Sequence, residues 1–314
     1  MRLFAFRNPE VHMSSHHLVA VSQALFVTFL WSTSWVLIKI GLDDIPALVF
    51  AGLRYSLAFL ILLLYAFQRP NFRIELTTIT GRDWLWFILL GFIFYTVTQG
   101  AQFLALSYLP AVTLSLLLNF SSVVVALMGI LWLAEYPRRV QWIGIGVFLA
   151  GVIVYFHPID IPAREVVGLL IALVGTLSNA TGGIIGRYVN RQATVSVLLI
   201  TLISMGTGAL VLLVAGFLLQ GLPTMDTTSW LIVIWLAVVN TAFAFTLWNL
   251  TLRTLSAVES SVINNTMLVQ IALLAWIFLG ERLRVQEVLG LVMAAVGILV
   301  VQVGARKQKR PPQE

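Results

Sequence analysis

Apolar residues fill this chain in ten blocks separated by short polar breaks. The blocks cover residues 18–41, 47–67, 84–106, 111–133, 140–157, 165–188, 195–219, 228–252, 258–279 and 285–303. A helix needs roughly 20 mostly apolar residues to cross the hydrocarbon core of a bilayer. The pattern therefore predicts an all-α polytopic membrane protein with ten transmembrane helices, numbered here as spans 1 to 10. Pro46 and Pro110 stand where spans 2 and 4 begin, positions at which a missing N–H costs little. Only 1–17, 68–83 and the tail from Ala305 are sizeable polar pieces, so no soluble domain is expected.

The second half of the pattern repeats the first. At a constant offset of 146 residues, Trp84 falls on Trp230, Leu109 on Leu255, and Ala111-Val112 on Ala257-Val258. The same offset pairs Ser115 with Ser261, Asn119 with Asn265, Glu135 with Glu281, Gly144 with Gly290 and Gly151 with Gly297. Each copy holds an odd number of spans, so the second must be inverted relative to the first. The expected organisation is an arm at 1–17, a five-helix repeat at 18–157, an inverted five-helix repeat at 165–303 and a basic tail at 304–314. Two pseudo-equivalent halves can exchange inward-open and outward-open shapes, which points to a transporter.

Composition agrees: 60% of residues are hydrophobic, 10% are charged, and mean hydropathy is +0.96. A soluble domain carries about 25% charged residues. A net charge of +6 would suggest nucleic acid in a soluble chain. Here fourteen of the nineteen Lys and Arg fall on one side of the predicted spans and three (Arg164, Arg282, Arg284) on the other. That asymmetry reads as topology, with no nucleic-acid partner and both termini in the cytoplasm. The first apolar block is too long for a signal peptide and lacks a small-residue cleavage site after it. Met13-Ser14-Ser15 offers a second start, so residues 1–12 are either a disordered arm or lie ahead of the true start. Cysteine is absent, which excludes disulfides, thiolate metal sites and a cysteine nucleophile.

Polar residues inside spans mark cavities more often than lipid faces. Tyr95, Gln99 and Gln102 share one face of span 3, and the offset places Thr241, Phe245 and Trp248 at the matching positions of span 8. These predict an amide-rich and an aromatic wall of one cavity, suited to a ligand with an apolar part and hydrogen-bonding groups; hydrogen bonds between helices are the alternative use of such residues. Asn119 and Asn265 form a symmetric pair that fits substrate contact or a helix crossing equally. Asn264, Gln270, Asn179, Asn240 and Asn249 are further candidates. On span 1, Ser32, Trp35 and Lys39 share a face, with Trp35 deep enough for a cavity wall. Lys39 reaches water by snorkelling or meets a ligand. Arg54 lies one to two turns into span 2, as a helix-end anchor or a ligand contact. Together Lys39 and Arg54 make an outer vestibule positive, and either can meet a carboxylate. Glu135 and Glu281 end spans 4 and 9 against the helix dipole. Arg138 and Arg284, three residues on, suggest a structural clasp to the following loop, a gate being the alternative.

Trp31-Ser32-Thr33-Ser34-Trp35 with Ile38-Lys39-Ile40-Gly41, Leu53-Arg54-Tyr55 and Ala105-Leu106-Ser107-Tyr108-Leu109-Pro110-Ala111 stand in this order along the first half. Leu133-Ala134-Glu135 and Leu279-Gly280-Glu281-Arg282-Leu283 each precede a Gly-containing final span. In order, spacing and duplication these segments resemble the drug/metabolite transporter superfamily, EamA type, over Leu18 to Gly304. The resemblance implies export or exchange of small metabolites, often amino acids, across the inner membrane. It also implies two five-helix halves around a central cavity, the last helix of each half being peripheral. Span 1 lacks the membrane-embedded glutamate of the four-helix small multidrug resistance relatives.

The expected function is a secondary carrier, an exporter of small organic metabolites working by alternating access, with gates at the ends of spans 3–4 and 8–9. A multidrug or toxic-compound exporter is the rival among carriers, and a non-transporting receptor or assembly protein the rival from another class. An enzyme is not expected: the spans hold no paired carboxylates, metal-ligand spacing or phosphate-binding Gly loop. His12, His16 and His17 lie in the arm, and His157 stands alone. Gly182, Gly183 and Gly186 suggest close helix packing. No cofactor or metal is implied; the partners are a small-molecule substrate and the lipid bilayer, with a homodimer compatible.

Overall fold

A computed structural model describes residues 15–133, 138–158, 161–192, 195–255 and 257–306. Glu135, His12 and most of the terminal arm and tail lie outside the described residues, as do the side chains of His16, Asn249 and Ser261. Span 1 is Ser15–Gly41, span 2 Ala47–Phe67 and span 3 Gly81–Tyr108. Span 4 is 111–133, and span 5 is Arg139–Phe156. Span 6 is Ala163–Gln192, span 7 Val197–Gln220 and span 8 227–251. Spans 9 and 10 are Ala257–Leu279 and Val285–Arg306. Among the described residues, nine helices are long and apolar enough to cross a membrane, and Ala111–Val125 of span 4 is a shorter apolar helix. Within hydrocarbon only such internally paired backbone is tolerated.

Two features depart from the periodic reading. The polar stretch after span 2 contains a short helix, Phe72–Thr78. Span 3 starts earlier than its apolar block. There the Thr80 hydroxyl accepts from Asp83 N–H (3.2 Å), and the Asp83 carboxylate accepts from Thr80 N–H (3.1 Å). This reciprocal capping box satisfies two donors that a helix start otherwise leaves open.

The helix packing carries the inverted symmetry. Spans 3 and 6 touch as spans 8 and 1 do; spans 4 and 6 touch as spans 9 and 1 do; spans 3 and 7 touch as spans 8 and 2 do. Spans 2 and 7 pack on each other, as do spans 5 and 10, so each of these pairs lies on the symmetry axis. The second pair shows the sense of the axis. Gly144 abuts the backbone of Gly297 and Gly151 that of Gly290, closely enough that an added Cβ would lie 2.8 Å and 2.7 Å from the facing carbonyl oxygens. One number rises as the other falls, so the spans run antiparallel. The sequence offset pairs Gly144 with Gly290 and Gly151 with Gly297, so one contact maps onto the other. The chain thus folds as two inverted five-helix repeats. Small residues let helix backbones approach in a medium that supplies no hydrophobic drive between helices.

Both repeats also widen their third helix at the same place. Span 3 is π-helical over Gly91–Thr98 and span 8 over Val238–Phe243; the offset maps 91–98 onto 237–244. A π-turn leaves a carbonyl without its usual partner, and a threonine hydroxyl supplies one in each span. Thr98 donates to Ile93 O (3.0 Å) and Thr241 to Leu236 O (2.9 Å), each five residues back. Such turns are frequent at functional sites.

Candidate functional site

The π-turns bring a cation and a polar-aromatic group together. Arg54, on span 2, is 5% exposed. Its Nε donates to the Thr241 hydroxyl of span 8 at 3.1 Å. The guanidinium carbon lies 5.3 Å from the Tyr55 ring centre and 6.0 Å from that of Phe103, within cation–π range. The Tyr55 hydroxyl donates to Gln99 Oε1 (2.7 Å), and the Tyr55 and Tyr95 rings meet edge to face at 5.6 Å. Trp35 is buried in the same core, and Gln102 is half-buried one turn beyond Gln99. Among the described residues no carboxylate pairs with Arg54.

The aromatic residues of span 8 form a second group instead of the facing wall. Trp31 of span 1 packs between Phe245 and Trp248, both 5.2 Å away, and donates from its indole to Asn240 O (3.1 Å). The Asn240 amide donates to Leu30 O and to the Thr33 hydroxyl (3.3 Å), leaving its own oxygen buried and unpaired. Ser32 donates to Gln270 Oε1 (2.9 Å), tying span 1 to span 9. His17, at the start of span 1 and not in a separate arm, pairs with Glu259 at 3.1 Å. The symmetric asparagines differ: Asn119 donates back to Ser115 O (2.8 Å), next to the break in span 4 at Phe120, whereas Asn265 donates to Gln302 of span 10 (3.0 Å). Asn179 donates to Ser121 (3.2 Å), and Asn264 is exposed. Gly182 rests on Phe94, while Gly183 faces open space.

At the charge-poor end of the bundle, the turn between spans 3 and 4 is gripped from both repeats. Lys39 Nζ donates to Leu106 O (2.6 Å) and Leu109 O (2.8 Å), and Arg164 donates to Ser107 O (3.3 Å). These cations sit on the carbonyl end of span 3, where the helix dipole is negative. Span 4 starts after Pro110, which makes no side-chain cap. Glu281 supplies the missing acceptors, taking hydrogen bonds from Ala111 N–H (2.7 Å) and Val112 N–H (3.2 Å). Gly280 aims it: a positive φ of 67° ends span 9, with Glu281 N–H bonded to Ala275 O at 3.2 Å. Only glycine enters that conformation without strain. Glu281 therefore clasps the start of span 4, and Arg284 instead presents its own N–H to Glu287 (2.7 Å). Lys39 is engaged by a helix end, not left to snorkel. Tyr55, Phe103 and Trp31, which the sequence reading did not name as site residues, are central here; Leu53-Arg54-Tyr55 and Trp31-Ser32-Thr33-Ser34-Trp35 were the signals present for two of them.

Residues 18–156 and 166–303 each match the model of the EamA-like transporter family. The chain belongs to that family. The two matched segments follow the two repeats. The relatives of this EamA-type chain include an uncharacterized transporter, YvbV, of Bacillus subtilis. It is 27% identical over 90% of this chain and 92% of its own length. Another is a probable amino-acid metabolite efflux pump of Escherichia coli, 26% identical over 91% of this chain and 95% of its own. A solved crystal structure covers 92% of this chain and 99% of its own with a TM-score of 0.63 at 18% identity, a likeness that shows the fold. The chain is an integral membrane transporter.

Proposed function

We propose that this transporter exports small organic metabolites such as amino acids by alternating access, as a secondary carrier with both termini in the cytoplasm. The observation that carries the reading is the grip on the 3–4 turn. Lys39 from the first repeat and Glu281 from the second fasten one hairpin end over Ile38, Leu106 and Leu109, all fully buried. Beneath that plug lie Arg54, Tyr55, Tyr95 and Gln99. In this shape the grip holds the charge-poor end shut, and in the proposed cycle substrate enters the central residues from the charge-rich end. Release of the grip opens the charge-poor end, and exchange of the open end is what a carrier with inverted repeats requires. The amino-acid substrate class is supported by the name of the Escherichia coli relative and by side chains that pair amides with aromatic faces.

The test is efflux. Cells with and without the full chain are loaded with labelled amino acids, and release is followed over time. Faster release of at least one amino acid supports the reading. Equal release across the set, with the protein abundant in the membrane, would remove amino acids as the substrate class.

A further inference from the structure

We propose that Arg54 is the anchor for a carboxylate of the transported molecule; this rests on the carrier reading above and narrows its substrate class to small organic acids and zwitterions. A guanidinium stays charged at any physiological pH. Placed away from water, it needs a counter-charge, because a buried charge loses its hydration and gains nothing in return. Arg54 is 5% exposed and has one hydrogen bond, from Nε to the neutral Thr241 hydroxyl. The Tyr55 and Phe103 rings compensate it only in part. Neither Nη nitrogen bonds a described residue, and neither is among the fully buried unpaired atoms, so both reach space between the spans.

Among the described residues none offers a counter-ion there. The nine described acidic residues lie in connections or the first turns of spans, and none of them in a span interior. The two Nη groups form a planar fork that matches the two oxygens of a carboxylate. The surroundings suit the rest of such a molecule. The oxygen of the Gln99 amide is taken by the Tyr55 hydroxyl, which leaves its NH2 free to donate. The Tyr95 ring, packed edge to face on Tyr55, supplies an aromatic neighbour for an apolar part. The same inventory argues against organic cations: with a fixed positive charge and no acid nearby, a cation entering this site is repelled. A carboxylate bound at Arg54 makes a neutral pair, so an acid or zwitterion crosses the low-dielectric interior without a net buried charge at this point.

The test has two arms, both with the full chain. In proteoliposomes, uptake of labelled phenylalanine, leucine and threonine is compared with uptake of phenylalaninamide, leucinamide and threoninamide, which keep the side chain and ammonium but lack the carboxylate. In detergent, thermal unfolding is followed with benzoate and with benzamide. The expected result is that the wild type moves at least one acid about tenfold faster than its amide, and that benzoate but not benzamide raises its unfolding temperature. Arg54→Gln loses both preferences, and Arg54→Lys, which keeps the charge without the fork, retains part of each. Should Arg54→Gln fail to purify as a monodisperse protein, Arg54→Lys and the wild-type comparison decide alone. Equal rates for acid and amide, or normal acid uptake by Arg54→Gln, would overturn the anchor and leave the carrier standing. No uptake of any probe, with benzoate stabilising the wild type only through Arg54, would keep the anchor and remove the amino-acid reading. No benzoate effect on the wild type overturns the anchor outright.

Discussion

Lys39 and Glu281 carry opposite charges, come from opposite repeats, and hold the two sides of one turn. Lys39 binds the carbonyls that end span 3, at 2.6 Å and 2.8 Å, and Glu281 binds the amides that begin span 4, at 2.7 Å and 3.2 Å. Each charge meets the helix end of opposite sign, so they reinforce one closed shape. A population of shapes shifts only as far as the difference in interaction energy between them.

Removing Glu281 should open that end. Glu281→Ala leaves two span 4 amides without acceptors, a loss of about 1–3 kcal/mol for each buried group left unpaired. Because the chain has no cysteine, a single cysteine introduced at Gln102 reports access directly. A membrane-impermeant maleimide added at the charge-poor side should label Gln102→Cys several-fold faster when Glu281→Ala is also present. Unchanged labelling would mean that Glu281 caps a helix without gating.

The crossing of spans 5 and 10 should tolerate no side chain at its contact points. Gly151 has the Gly290 carbonyl and Ala294 N–H where a Cβ would go, at 2.7 Å and 2.6 Å, whereas Gly146 has nothing within 4 Å. Gly151→Leu should separate the helices and lower the yield of monodisperse protein sharply. Gly146→Leu should leave yield and unfolding temperature close to those of the wild type. Equal behaviour of the two variants would count against the crossing.

Transport should depend on the centre and not on the rim. Gln99→Ala removes the acceptor of the Tyr55 hydroxyl beside Arg54, and Trp248→Ala removes one of the two rings tilted against Trp31. Each should lower transport about tenfold at unchanged abundance, the scale of one lost hydrogen bond or ring contact. Trp142, 50% exposed at the start of span 5, should act as an interfacial anchor, and Trp142→Ala should transport normally. The opposite ranking would place the pathway elsewhere in the bundle.

The pattern of apolar blocks made the spans legible, because hydrocarbon imposes a length on each of them. The repeat made the inverted halves legible, and Gly144, Gly151, Gly290 and Gly297 were visible as its anchors. The partners of the charged residues were not. Lys39, Glu281 and Arg54 each bond to a distant span, and such pairings depend on how helices cross, which one chain's periodicity does not encode. The π-turns were hidden for a related reason: Tyr95, Gln99 and Gln102 fit a regular helical face, and one extra residue per turn swings Thr241 to Arg54 while Phe245 and Trp248 turn to Trp31. The short helix Phe72–Thr78 lies outside the bilayer pattern and left no apolar block to find.

Orientation follows from charge. With fourteen Lys and Arg on the side of both termini and three on the other, the termini should face the cytoplasm. An alkaline phosphatase fused after Glu314 should be inactive and a cytoplasmic reporter at the same point active. An active phosphatase there would reverse the direction assigned to the closed end.

The central claim is that the two repeats carry a metabolite across the membrane by exchanging open ends. Counterflow tests it most directly. Proteoliposomes holding the purified chain are preloaded with an unlabelled amino-acid mixture, diluted, and offered traces of labelled amino acids. The account predicts transient accumulation of at least one label, saturable and faster than in vesicles without internal substrate. Uptake of every amino acid no faster than in protein-free vesicles would contradict it.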